Sequence, residues 1–155
     1  MKAVAYSIRS FEKEFLAKAN QKKHDITLIS NTLGPDTAGY AAGKDAVIVF
    51  TNDDVSAQVI EQLAVLGIKF IVTRSAGTEH IDKVAAANFG IKIANVPANP
   101  LYDINNESTH DSFQEIANKT IRTLDLWQQN KCVGDACACS KNCRTANPID
   151  NKTIL

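Results

Sequence analysis

An α/β fold is predicted from the sequence: a five-stranded parallel sheet with helices on both faces. Three observations predict it. Short apolar runs rich in β-branched residues recur through the first hundred residues, and amphipathic helical stretches separate them. One run, Ala46-Val47-Ile48-Val49-Phe50, is apolar throughout, as befits a central parallel strand covered on both faces.

The elements follow in order. Ala3-Val4-Ala5-Tyr6 reads as the first strand. From Ser10 to Lys22, Phe11, Phe15, Leu16 and Ala19 share one helical face, with Glu12, Lys13 and Lys18 on the other. Ile26-Thr27-Leu28-Ile29 is the second strand, and a short turn or helix around Asp36–Ala42 leads to the third. Val55 to Leu66 repeats the stripe through Val59, Ile60, Leu63 and Leu66, and Gly67 supplies a C-cap. Phe70-Ile71-Val72-Thr73 is the fourth strand. Ile81 to Asn88 is a shorter, Ala-rich helix followed by Gly90, and Ile91-Lys92-Ile93-Ala94 is the fifth strand. This alternation gives right-handed crossovers and parallel pairing, for which the flavodoxin-like order 2-1-3-4-5 is the natural expectation.

After Pro97 the texture changes. Two prolines and three asparagines within 97–106 mark a linker. Ser108 or Thr109 then caps a long helix in which Phe113, Ile116, Ala117, Thr120, Ile121, Leu124 and Trp127 keep helical spacing. The expectation is one domain over residues 1–130, built from 1–98 and the returning helix of 108–130, with 99–107 as linker. Residues 131–155 show no periodicity and are expected to form a mobile, Cys-containing tail.

Composition narrows the function. The 155 residues balance 17 Lys+Arg against 17 Asp+Glu, so the single-sign field of a nucleic-acid or membrane-surface binder is missing. No apolar run approaches the ~20 residues of a membrane span, and Met1-Lys2 leads straight into a strand without a signal-like apolar region. A cytoplasmic location is expected. The four cysteines, Cys132, Cys137, Cys139 and Cys143, fall within twelve residues. Their spacing lacks the paired C-x2-C of common zinc sites, so no metal is assigned and reduced thiols are expected.

One segment carries chemistry: Thr73-Arg74-Ser75-Ala76-Gly77-Thr78-Glu79-His80-Ile81-Asp82 leaves the fourth strand and opens a helix. Ligands of parallel sheets bind at the carboxyl ends of strands. Ser75 through Thr78 could present consecutive backbone N–H groups to a carboxylate, with Gly77 permitting close approach. A plain strand-to-helix turn, with Asp82 supporting the first helical turn, fits the same spacing.

These residues, with Ala5-Tyr6-Ser7-Ile8-Arg9, Phe11-Glu12, Asp45 to Phe50 and Gly90 to Ala98, resemble the substrate-binding (catalytic) domain of NAD-dependent D-2-hydroxyacid dehydrogenases, nearest the D-lactate dehydrogenase branch. The resemblance implies a flavodoxin-like lobe whose loop amides at Ser75, Ala76 and Gly77 hold a substrate carboxylate, with Arg9 nearby. Residues 109–132, through Ile116 to Leu124, resemble that family's C-terminal helix. The family's cofactor domain lies between these two pieces, and here Asn99 and Pro100 stand where its entry segment would run.

No Gly-x-Gly-x-x-Gly occurs in the chain, and Gly39 and Gly43 follow no strand. The expectation is therefore a substrate lobe from which the cofactor domain has been excised. It binds small 2-oxo or 2-hydroxy acids weakly, holds no NAD, carries no catalytic residue of its own and is monomeric. His110 falls on the first turn of the last helix, past the register of the family's catalytic histidine, and reads as an exposed helix-start residue. His24 reads as solvated, and His80 as part of the loop's structure. The alternative is an interaction or signalling module of the same topology. Of the acidic residues and lysine that a phosphoacceptor site would need, Asp53 and Asp54 supply only the middle element.

Overall fold

A computed structural model of the chain describes residues 1–97 and 110–139. Five parallel strands, β1 (Lys2–Ala5), β2 (Asp25–Leu28), β3 (Ala46–Val49), β4 (Phe70–Thr73) and β5 (Lys92–Ala94), form one sheet in the order β2-β1-β3-β4-β5. The helices are α1 (Glu12–Asn20), α2 (Ala57–Val65), α3 (Lys83–Asn88) and α4 (His110–Gln128), with a 3-10 turn over Ala38–Ala41. The predicted order is the observed one.

Strand alternation divides the core in two. Val4, Tyr6, Val47, Val49, Ile71 and Ile93 face α2, α3 and the 3-10 turn. Ala3, Ala5, Ala46, Ile48, Val72 and Ala94 face α1 and α4. The second face is built mostly of small residues, so its covering helices must lie close and bring their own bulk. That bulk is Phe15 and Leu16 from α1, with Ala117, Ile121, Leu124 and Trp127 from α4. Gly67 and Gly90 adopt positive φ (91° and 70°) directly after α2 and α3, the left-handed conformation that turns the chain back toward a strand. Asp82 caps α3 by accepting from Ala85 N (3.0 Å).

α4 is pinned at both ends. Near its start Phe113 meets Phe11 edge-on (4.9 Å between centroids) and Phe15 (5.8 Å). Near its end Trp127 stacks on Phe70 at 4.8 Å. Its two buried threonines return their hydroxyls to the helix, Thr120 to Ile116 O (2.8 Å) and Thr123 to Lys119 O (3.1 Å). The capping roles read for Ser108 and Thr109 lie outside the described residues.

Two expectations are corrected here. His24 is not solvated. It is 5% exposed, with its Nε2 2.7 Å from Asp125 Oδ1 on α4 and its main chain bonded twice to Asn20. Its place in the Lys-Lys-His-Asp turn suggested solvent because the partner lies 101 residues away. The tail is not free over 131–139 either. Its 3-10 turn (Gly134–Ala136) leads into an antiparallel bridge between Cys137 and Ala94, through Asn95 N to Ala136 O (2.8 Å) and Ala138 N to Ile93 O (2.9 Å). The outer edge of β5 offers backbone groups that need partners, and these residues supply them. Residues 140–155 lie outside the described part. Among the described residues no helix is long and apolar enough to cross a membrane.

Two outcomes test this packing. Leu124 is fully buried, so Leu124→Ala should cost about 2–5 kcal/mol in urea unfolding. Burial would raise the Asp125 pKa, but hydrogen bonds from Lys23 (2.9 Å) and His24 outweigh it and hold the carboxyl below its ordinary 3.8. A carboxyl with a lowered folded pKa stabilises the fold above its unfolded value and ceases to do so as pH falls through the folded one. Asp125→Asn should therefore cost ~1 kcal/mol near neutrality, and the gap from the parent chain should close below about pH 4.

Candidate functional site

The strand order reverses between β1 and β3, so the loops leaving β1, β3 and β4 open a crevice at the carboxyl end of the sheet. The chain leaves β1 through Tyr6-Ser7-Ile8-Arg9. Ser7 takes a positive φ of 57°, held by its N–H on Asn31 O (2.8 Å) and its hydroxyl on Asp53 Oδ1 (2.6 Å). Asp53 is 3% exposed. It also accepts from Leu33 N (2.8 Å) and Phe50 N (2.7 Å), which makes it the staple of three loops. These bonds occupy the carboxylate that the signalling alternative would assign to a metal.

An ion cluster joins the loops. Arg74, 3% exposed, donates from Nε to Glu12 Oε2 (3.0 Å) and from its two terminal nitrogens to the carbonyls of Tyr6 and Ser7 (3.1 Å each). Arg9 donates to the other carboxylate oxygen of Glu12 from its main-chain N (3.1 Å) and from Nε (3.0 Å). Both guanidinium groups lie against the Phe50 ring, at 5.4 Å for Arg9 and 5.1 Å for Arg74. Burial works to raise the Glu12 pKa, but the two arginines and the Arg9 amide outweigh it and hold the carboxyl below its ordinary value. The cluster sets two guanidinium groups on the one carboxylate of Glu12, and the Asp53 carboxylate also acts on Arg74. The stripe pattern placed Glu12 on the polar face of its helix and left Arg74 unassigned. The signal for both would have been an arginine directly after the buried strand β4, where a buried cation needs a carboxylate partner.

The loop after β4 has a consistent polarity. The carbonyls of Ser75, Ala76, Gly77 and Thr78 all accept from the protein: from Val96 N (3.0 Å), Asn95 Nδ2 (2.8 Å), Ser75 Oγ (2.9 Å) and Ile81 N (3.0 Å). The four N–H groups of the same residues meet no acceptor among the described residues. Ser75 spends its one proton on Gly77 O. Thr73 Oγ1 (2.7 Å) must then donate to Ser75, and His80 Nε2 (3.1 Å) must donate to Thr73. Burial lowers the His80 pKa, which favours the neutral ring, and its donation to Thr73 puts a proton on Nε2. His80 thus belongs to the loop's structure, as read.

Gly77 needs no left-handed backbone. A Cβ there would lie 2.6 Å from Glu79 Oε1, so a carboxylate oxygen already stands over this residue. Arg9 and Ser75–Gly77 both lie beyond the carboxyl end of the sheet, and Arg9 is tied through Glu12 to Arg74, the residue before Ser75, but Ser75–Gly77 do not line the cavity that Arg9 borders. Behind the cluster a cavity of about 230 Å³ runs between α1 and α4. The side chain of His110 lies outside the described residues. Among the described residues no group of three or more His, Cys, Asp or Glu is placed to hold a metal ion.

The dinucleotide implied by the sequence resemblance does not fit these turns. Its pyrophosphate needs a glycine-rich strand-to-helix turn. The turn from β1 to α1 has no glycine, and its tip carbonyls at Tyr6 and Ser7 are already bound by Arg74. The turn from β3 to α2 has no glycine either.

Known proteins agree with this geometry. Residues 3–136 match the model of the D-isomer specific 2-hydroxyacid dehydrogenase catalytic domain, a match that takes in α4 as well as the sheet. An aromatic 2-oxoacid reductase of Clostridium sporogenes is 38% identical over 99 residues, 63% of this chain and 30% of that protein. The apo structure of Escherichia coli D-lactate dehydrogenase superposes with a TM-score of 0.62 at 36% identity, covering 63% of this chain and 31% of that one. A D-lactate dehydrogenase from Lactobacillus jensenii, solved with NAD+, gives 0.56 at 30% identity, over 63% and 30% of the two chains. The chain thus spans 30% to 38% of the length of the curated relatives it matches. By its sheet order, its β4 loop and the extent of the match, the chain belongs to the D-isomer specific 2-hydroxyacid dehydrogenase family, as a form of its catalytic domain.

Proposed function

We propose that this chain is the substrate-holding lobe of a 2-hydroxyacid dehydrogenase, binding the carboxylate of a small 2-oxo or 2-hydroxy acid and transferring no hydride by itself. The observation that carries the reading is the polarity of the β4 loop. Four successive carbonyls are turned into the protein, while the N–H groups of Ser75, Ala76 and Gly77 have no acceptor among the described residues. Aligned amides of this kind are an anion site. Arg9 adds a formal charge at the same end of the sheet, and Glu12 accepts from its main-chain N and from its Nε.

The names of the relatives, D-lactate dehydrogenase and aromatic 2-oxoacid reductase, agree with a carboxylate carrying a neighbouring carbonyl or hydroxyl. The lack of a dinucleotide turn supports catalytic silence. Hydride transfer needs a nicotinamide held against the substrate carbon and an acid to protonate the oxygen, and these residues supply a place for neither. Such a crevice, with one wall open to water, holds a ligand only weakly.

Titrating pyruvate into the isotopically labelled chain should shift the Ser75, Ala76 and Gly77 amides with a Kd of about 1 mM or weaker. Arg9→Gln should weaken this by about tenfold. NADH oxidation by the chain, or pyruvate shifts confined to other residues, would refute the reading. Glu12→Gln leaves the buried Arg74 charge without its anion and should cost about 3–5 kcal/mol in urea unfolding.

A further inference from the structure

Two of the inward carbonyls of the β4 loop are held from outside the loop, and both donors come from the residues that leave β5. Val96 N donates to Ser75 O (3.0 Å) and Asn95 Nδ2 to Ala76 O (2.8 Å). A trans peptide unit is planar, and its C=O and N–H point in opposite directions. No peptide bond among the described residues is cis. Fixing Ser75 O inward therefore turns the Ala76 N–H outward, and fixing Ala76 O does the same for the Gly77 N–H.

Asn95 faces two ways. Its side chain holds the loop, while its main-chain N donates to Ala136 O (2.8 Å) in the segment that follows α4. On the same outer edge of β5, Ala138 N donates to Ile93 O (2.9 Å) and Ile93 N to Cys139 Sγ (3.3 Å). Val133 and Ala136 pack into the core on the α1 and α4 side, and Ala138 packs into the core on the other. The segment thus reaches both faces and closes the edge as a strap. The Asn95 amide serves the loop in one orientation only, because turned over it would set Oδ1 against Ala76 O. Its Oδ1 is buried without a partner among the described residues. An orphaned acceptor costs stability, so the residue gives up one hydrogen bond for the donor that the loop needs.

We infer that residues 133–139 belong to the carboxylate site proposed above, as a strap that holds Asn95, and that Asn95 is the positioning residue through which it orients the Ala76 and Gly77 amides. The inference rests on that carboxylate reading. Neither the strap nor Asn95 touches the acid. Their contribution is pre-organisation, since amides already turned toward an anion spend no binding energy on turning. With the strap lifted, the path after β5 is no longer fixed and the peptide units of 75–77 are free to swing. Coupling of this kind is reciprocal, so an acid held by the loop also holds the strap.

The test uses the full 155-residue chain with pyruvate as the probe. Asn95→Ala removes the donor to Ala76 and should weaken pyruvate binding about fivefold or more, with the Gly77 amide resonance displaced in the free protein. Ala138→Pro removes the donor to Ile93 O, outside the loop, and should weaken binding to a similar degree. Ile121→Val trims the core under α4 and should leave the affinity within about twofold of the parent. In the parent chain, saturating pyruvate should slow hydrogen exchange of the Asn95 and Ala138 amides about fivefold and leave those of β2 unchanged. Parent affinity in Asn95→Ala or in a folded Ala138→Pro chain overturns the inference and leaves the carboxylate reading standing. Strap amides that exchange equally fast with and without pyruvate do the same, and need no variant to fold. A loss in Ile121→Val equal to that in Asn95→Ala also overturns it. Absence of pyruvate shifts at Ser75–Gly77 in the parent chain overturns the carboxylate reading itself.

Discussion

A parallel sheet needs both faces kept from water, and in this chain the second face depends on a helix from the far end of the sequence. α2, α3 and the 3-10 turn cover one side within the first ninety residues. On the other, α1 alone meets a surface of Ala3, Ala5, Ala46, Ile48, Val72 and Ala94. Small residues bury little area themselves and admit a close neighbour, so most of the apolar burial there comes from what α4 brings. The docking of α4 also closes a cavity beside the ion cluster, with Phe113, Ile116 and Ala117 as one of its walls.

The polar side of the site rests on a single shared anion. Arg74 donates to the carbonyls of Tyr6 and Ser7 just past β1, where the chain departs from the sheet. A buried guanidinium is tolerable only with a counter-charge, which Glu12 provides while holding Arg9 with its second oxygen. The arrangement needed to close the top of β1 is therefore the one that fixes Arg9 against Glu12 and the Phe11 and Phe50 rings.

Much of this was legible in the sequence, for identifiable reasons. Strands and helices carry their period in the chain, and the all-apolar Ala46–Phe50 run marks the centre of the sheet by itself. The β4 loop stood out because Ser, Ala, Gly and Thr follow a strand and precede a helix. What escaped was pairing at long range. Glu12 lies on the charged face of its helix and looks solvated until Arg74, 62 residues on, is placed beside it. His24 is hidden in the same way behind Asp125. The bridge from Cys137 to Ala94 is too short to produce a pattern of alternation, so only the unpaired edge of β5 reveals why it forms.

The covering of one face by the last helix also sets a sequence of events during synthesis. The ribosome delivers all five strands before α4, and Gln114, which bonds Phe15 O at 3.1 Å, follows its partner by 99 residues. For that interval the nascent chain presents an alanine-floored, phenylalanine-rimmed face with only α1 to shield it. Such a stage attracts holding chaperones and invites association between neighbouring nascent chains.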